Sequence, residues 1–173
     1  MVVEALWRIT EGLLFGSWIP GSGWRVAMLR MFGAQIGRGV MIKPKVRVKF
    51  PWKLHVGDHS WLGEGLWIDN LAEVSIGDHC CLSQGAYLGT GNHRWDRDSF
   101  DLKTSPIRLE NHCWIGAMAL VAPGAVCGEG VVLTMGSMAK GELAKWQVYS
   151  GSPATIIKPR SPLTAGTQPG AND

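Results

Sequence analysis

The sequence predicts a mainly β solenoid, a coil of six-residue units stacked on one another, and three observations predict it. An aliphatic residue returns every six positions over most of the chain, and a small residue usually stands four places after it. The beat breaks once, at GTGNHRWDRD (residues 89–98). A short fixed period is a firmer guide to fold than residue propensity. Six residues suit a short strand and a tight bend, because alternate side chains point inward and glycine at the second position tolerates unusual dihedrals. Such coils cannot bury their faces alone, so they stack with rungs roughly 4.8 Å apart.

Residues 1–34 precede the beat. Apolar Leu6, Ile9, Leu13 and Leu14, then Val26, Ala27, Leu29 and Phe32, divided by the turn Pro20-Gly21-Ser22-Gly23, predict two short amphipathic helices. The coil covers residues 35–158. Its units begin at Ile36, Ile42 and Val48, at Val56, Leu62 and Ile68, and at Ile76, Leu82 and Leu88. After the break they resume at Leu109, Ile115, Val121, Cys127, Leu133 and Ala139. Three units make a turn. The first turns advance by 20 residues, which predicts two-residue bulges near Phe50-Pro51 and Asn70-Leu71. An inserted loop occupies about residues 94–106, and a loop inside so tight a repeat is a candidate functional insertion. Residues 159–173, polar and rich in Gly and Pro, are expected to form a disordered tail.

Composition narrows the function classes. With 46% hydrophobic and 18% charged residues in a chain of 173, one domain with a sizeable core and an assembled surface is expected. A net charge of +3 without a dominant basic block gives no footprint for nucleic acid. Four cysteines without a CxxC pair or an evident secretory signal point to reduced thiols and a cytoplasmic chain. Arg8, Glu11, Arg25 and Arg30 interrupt every apolar run well below the ~18 residues of a spanning helix.

The repeat, together with TGNHRW, SPIRLENHCWIGAMALVAPGAVCGEG and YSGSPATIIKPR, resembles the sugar O-acetyltransferase branch of the hexapeptide-repeat acyltransferases. The segments LWRITEGLLFGSW, LRMFGAQIGRGV, FPWKLHVGDHSWLG and YLGTGNH extend the resemblance to the family named as colanic-acid biosynthesis acetyltransferases. It implies a left-handed parallel β-helix and a homotrimer with sites between subunits. It also implies acetyl-CoA as co-substrate, no metal, and His93 as catalytic base. Gly116 and Ala117 fall at the oxyanion or acyl site with Trp114 beside it, Asp69 and Asn70 where relatives bind the acceptor, and Met135, Lys140 and Lys158 along the coenzyme. Where galactoside acetyltransferases carry a serine, this chain has Ala117, and Met135 replaces a small residue. Trp114 reads equally as an indole on an outer face, and Asp-Asn equally suits a turn.

The chemistry agrees with that resemblance. A sugar hydroxyl is a poor nucleophile, and an imidazole that takes its proton accelerates attack roughly a hundred- to ten-thousand-fold. Cys80 and Cys113 occupy inward positions suited to a compact filler, so no acyl-carrying nucleophile is expected and transfer is direct. The acceptor classes are a sugar, a nucleotide sugar or a lipid-linked oligosaccharide. Two other readings compete: a drug-modifying acetyltransferase of the chloramphenicol or streptogramin type, and a non-catalytic binding solenoid, which needs no loop histidine.

Three surface features complete the reading. His59, His79 and His112 share one position in successive turns and should stack as a corner ladder, in a line that does not suit a metal; His55 has no evident role. In KPKVRVKFPWK, Lys43, Lys45, Arg47 and Lys49 alternate with apolar residues, so period two sends all four outward. They form either a solvated face or a weak contact with anionic phosphate, of a phospholipid surface at the inner face of the cytoplasmic membrane or of an undecaprenyl-pyrophosphate-linked sugar, with Trp7, Trp18 and Trp24 as anchors. Outward Trp61, Trp67 and Trp114 suit burial in an oligomer.

Overall fold

In the computed structural model, which describes residues 2–161, each unit forms a strand of two or three residues and every third strand pairs in parallel. Three sheets result, and they are the faces of a three-sided prism. Face one aligns Ile36, Val56, Ile76, Leu109, Cys127 and Leu143. Face two aligns Ile42, Leu62, Leu82, Ile115, Leu133 and Tyr149. Face three aligns Val48, Ile68, Leu88, Val121 and Ala139. All of these side chains are buried in one core. The period-six reading of the inward positions therefore matches the register of all three faces.

Corners repeat as regularly as strands. His59, His79 and His112 sit in the left-handed region (φ 55°, 54° and 60°), and each backbone N–H donates to the rung before it. Their rings stack at 5.3 and 5.2 Å and continue to Trp146 at 6.3 Å, the ladder that the spacing predicts. Beside them, carboxylate and amide oxygens accept the N–H groups that strand pairing leaves over: Arg38 N donates to Asp58 Oδ1 (2.8 Å), Asp58 N to Asp78 Oδ1 (2.7 Å) and Asp78 N to Asn111 Oδ1 (2.9 Å). Gly57 illustrates why the second position is small, since a Cβ there would lie 2.6 Å from the Gly77 carbonyl carbon of the next rung.

The first coil presents an unpaired edge on each face, and the N-terminal segment covers all three. Helix α1 (Val2–Thr10) runs into a π-turn (Glu11–Phe15), and helix α2 (Gly23–Met31) follows. On face three, Trp7 Nε1 donates to Val48 O (2.7 Å) and Glu11 Oε1 accepts from Val48 N (2.8 Å). On face two, Ser22 Oγ accepts from Ile42 N (2.9 Å) and donates to Ile42 O (3.1 Å). On face one, Arg30 donates to Ile36 O. The buried Arg25 guanidinium ties the connection down through the Phe15, Gly21 and Ser17 carbonyls.

Several expectations are corrected. The side of α1 that meets the coil carries Trp7, which packs at a tilt against Phe15 and Phe32 (ring centroids 5.3 and 5.0 Å), whereas Leu6, Ile9, Leu13 and Leu14 are exposed. Trp7 is fully buried and cannot anchor the chain to a surface. Lys49 is not a free outward charge, because its Nζ lies 2.8 Å from Asp69 Oδ1. Arg47 lies over the Trp67 ring (4.1 Å), and that ring in turn meets Tyr87 edge-on, so Trp67 is half-covered within its own face. The last turn is short, with Leu143 16 residues after Cys127 where Cys127 follows Leu109 by 18. A closing antiparallel pair, Gln147–Gly151 with Ala154–Pro159, caps face two, and Arg160 donates to His112 O and Gly130 O. Pro159 and Arg160 thus belong to the cap; residues 162–173, where the tail is expected, lie outside the described residues.

Candidate active site

The break in the beat is a β-hairpin. Gly91–His93 pairs antiparallel with Leu102–Thr104, and Arg94 N extends the ladder to Asp101 O (2.8 Å). Buried Thr90 fixes its root, since Oγ1 donates to Asp69 O (3.1 Å) and accepts from Ala72 N (2.9 Å). At the tip the exposed His93 ring stacks on Phe100 (4.6 Å, 12°), and Nδ1 lies 2.9 Å from Phe100 O. A carbonyl only accepts, so in the neutral imidazole Nδ1 carries the proton and Nε2 keeps the free lone pair. Phe100 adopts φ +47°, uncommon for a bulky residue and a mark of a constrained turn. Asp96 pairs with Arg94 and makes no hydrogen bond to His93, so the orienting group is Phe100, which the sequence pattern did not single out.

A second feature lies at the edge between faces two and three. Ser83, Gln84, Trp114, Gly116, Ala117 and Met135 line a cavity of about 370 Å³ together with Val132, Leu133 and Thr134. Trp114 Nε1 donates to Ser83 Oγ (3.0 Å), which fixes the indole against the wall. Gly116 is glycine because a Cβ would lie 2.6 Å from Met135 N and 2.7 Å from Leu133 O. The Ala117 N–H has no hydrogen-bond partner among the described residues. The nearby hydroxyls do not replace the serine that Ala117 lacks: Ser83 Oγ holds Trp114, and Thr134 Oγ1 bonds to Ser137 and Ser150. Lys158 stands in the same row of face two as Trp114, through Val132 and Val148, three strands or about 14 Å along the prism.

The expected site residues therefore fall into two groups. Trp114, Gly116, Ala117, Met135 and Lys158 share face two and its edge with face three. The His93 hairpin leaves the prism between faces three and one, and Lys140, which follows the face-three strand Met138–Ala139, stands on that same edge. One chain does not unite them: His93 does not line the Trp114 cavity.

Asp69 and Asn70 also separate. Asn70 is buried, and its amide clamps the preceding turn by accepting from Phe50 N (2.9 Å) and donating to Phe50 O (2.8 Å). Fully buried and bonded at both ends to this turn, it is out of an acceptor's reach, and the turn reading stands in place of the binding one. Asp69 Oδ2 accepts from Tyr87 OH (3.0 Å), while its solvent-shielded Oδ1 has the Lys49 ammonium at 2.8 Å as ion partner, off hydrogen-bond alignment. Burial, and then the Asp69 carboxylate, push the Tyr87 phenol up to about 12, so this hydroxyl stays a donor.

A three-sided coil with a loop histidine on one edge and a tryptophan-walled cavity on another defines the class of hexapeptide-repeat acyltransferases. No protein-family profile matches the chain. It is 37% identical over 157 residues, 90% of its length and 86% of the relative's, to the Escherichia coli (strain K12) protein named as the colanic acid biosynthesis acetyltransferase WcaF. It is also 25% identical over 137 residues to galactoside O-acetyltransferase of the same strain, spanning 78% of this chain and 68% of that one. A hexapeptide-repeat acetyltransferase from Vibrio cholerae, solved with acetyl coenzyme A, superposes with a TM-score of 0.84 at 20% identity, covering 93% of this chain and 88% of that one. The chain belongs to the hexapeptide-repeat acetyltransferase family that includes WcaF.

Proposed function

We propose that the chain is an acetyl-CoA-dependent O-acetyltransferase that modifies a sugar hydroxyl in exopolysaccharide biosynthesis, with His93 as general base. The observation that carries this reading is the Nδ1 contact to Phe100 O, which leaves Nε2 as the proton acceptor. The names of the relatives support the acceptor class and the solved complex supports the donor. Acetyl-CoA supplies an acetyl group already activated as a thioester. The chain's residues suit it: an indole wall at Trp114, an unpaired N–H at Ala117, and the Lys158 cation in the same row for an anionic end. His93 Nε2 takes the proton of the hydroxyl as its oxygen bonds to the acetyl carbon, the Ala117 N–H donates to the charge on the acyl oxygen, and as the C–S bond breaks the proton passes from Nε2 to the departing thiolate. At the hairpin root the Asp69 carboxylate is engaged by Tyr87 and Lys49, so on the acceptor side its part is to position those two groups. We read the working unit as a homotrimer, because that arrangement sets the His93 edge of one copy against the Trp114 edge of the next.

His93→Ala tests the base. It should leave the fold and acetyl-CoA binding intact and lower turnover about a hundred- to ten-thousand-fold, measured as thiol release in vitro and as O-acetyl content of exopolysaccharide from a complemented deletion strain. A variant with near-normal turnover on the natural acceptor contradicts the assignment.

A further inference from the structure

We propose that the outer face of α1 and its π-turn is a docking surface for an anionic lipid bilayer. The helix needs only one side to hold the coil, the side of Trp7 and Phe15. Val2, Leu6, Ile9 and Leu13, spaced as one helical stripe, lie on another side in solvent, with Leu13 74% exposed, and Trp18 beyond them is 61% exposed. Large apolar side chains gathered on an outer face mark an interaction site.

Charge selects the occupant. Beside the stripe, a cavity of about 530 Å³ opens between the π-turn and the first coil, lined by Arg8, Lys45 and Arg47 with Gly12, Gly16, Ser17 and Glu11. Lys45 Nζ stands 4.1 Å over the Trp18 ring, which places an indole and a cation at one level. Of these cations Arg8 is paired with Glu4 (3.4 Å), whereas Lys45 and Arg47 make no ion pair among the described residues, and Glu11 is turned inward onto Val48 N–H. An apolar stripe with an indole and a flanking row of cations is the arrangement of a helix lying in a membrane interface, where acyl chains take the stripe and phosphates the cations. A second copy of this chain, with its net charge of +3, offers no surplus acid for them. Among the described residues no helix is long and apolar enough to cross a membrane, so the contact is peripheral. This surface differs from the one that period two predicts, since Lys49 is spent on Asp69 and Trp7 lies in the core. It goes beyond acetyl transfer and fails independently of it.

Flotation of the full chain with vesicles tests the proposal. The wild type should bind phosphatidylcholine vesicles that contain phosphatidylglycerol, bind pure phosphatidylcholine weakly, and lose attachment as salt rises. Leu6→Asp with Leu13→Asp should weaken partition at least about tenfold, and Lys45→Glu with Arg47→Glu about fivefold or more per charge. These side chains are exposed, and thermal melting together with the oligomeric mass verifies that the variants are folded. Equal wild-type recovery on both lipids overturns the proposal, as does a Leu6→Asp, Leu13→Asp variant that binds like wild type. So does a variant whose oligomeric mass falls while vesicle binding persists, which assigns the face to contact between copies.

Discussion

At the scale of single residues, the proposed role of His93 as a base depends on what holds its ring. Phe100 does so twice, through the carbonyl that fixes the tautomer and through the stacked ring. Phe100→Ala removes only the ring, so it should lower kcat about tenfold, leave KM for acetyl-CoA unchanged, and be rescued by Phe100→Tyr. A rise in KM with kcat preserved, or no rescue by tyrosine, would mean that the ring merely folds the hairpin. The break in the period marked the loop in the sequence, and the family resemblance singled out His93 within it. Phe100 was not legible, since only the hairpin pairing brings it back to a residue seven positions earlier. Asn70 was read too generously: Asp-Asn at a bulge suits a sugar hydroxyl and a turn clamp alike, and only the two bonds to Phe50 decide between them.

At the scale of elements, the coil was legible because each inward side chain must repeat on every rung, and the predicted positions align from Ile36 to Cys127 and from Ile42 to Leu133. The period was silent on the short turn to Leu143. It was silent as well on the orientation of α1, where Trp7 and Phe15 on one side and Leu6, Ile9 and Leu13 on another are equally apolar. Geometry at the second hexad position gives a test of the stacking. Gly57→Ala puts a Cβ within 2.6 Å of the next rung's backbone and should cost about 2–4 kcal/mol in denaturant or thermal unfolding. Gly65→Ala, at φ +68° with its nearest neighbour 3.9 Å away, meets only the left-handed penalty of about 1–2 kcal/mol. Equal costs at the two positions would mean that the rungs are not in the close contact described.

At the scale of the molecule, two half-sites sit on two edges of one prism, and exposed Trp61, Trp114, Leu120 and Met135 line the outer surface around the cavity edge. In the proposed homotrimer a contact that joins one edge to a different edge of the next copy is heterologous, with a rotation that closes the ring, and such an assembly would account at once for the apolar exterior and for the separation of His93 from Ala117. The most direct test mixes two inactive versions. His93→Ala keeps the cavity, while Ala117→Trp fills the cavity and keeps the histidine. Subunits dissociated together and reassembled should regain acetyl transfer to about one quarter of the wild-type level, the fraction of contacts in random rings that pair an intact histidine with an open cavity. If mixed oligomers form by native mass and remain as inactive as their parents, while wild type treated identically recovers, the site lies within a single chain and the shared-edge account is wrong.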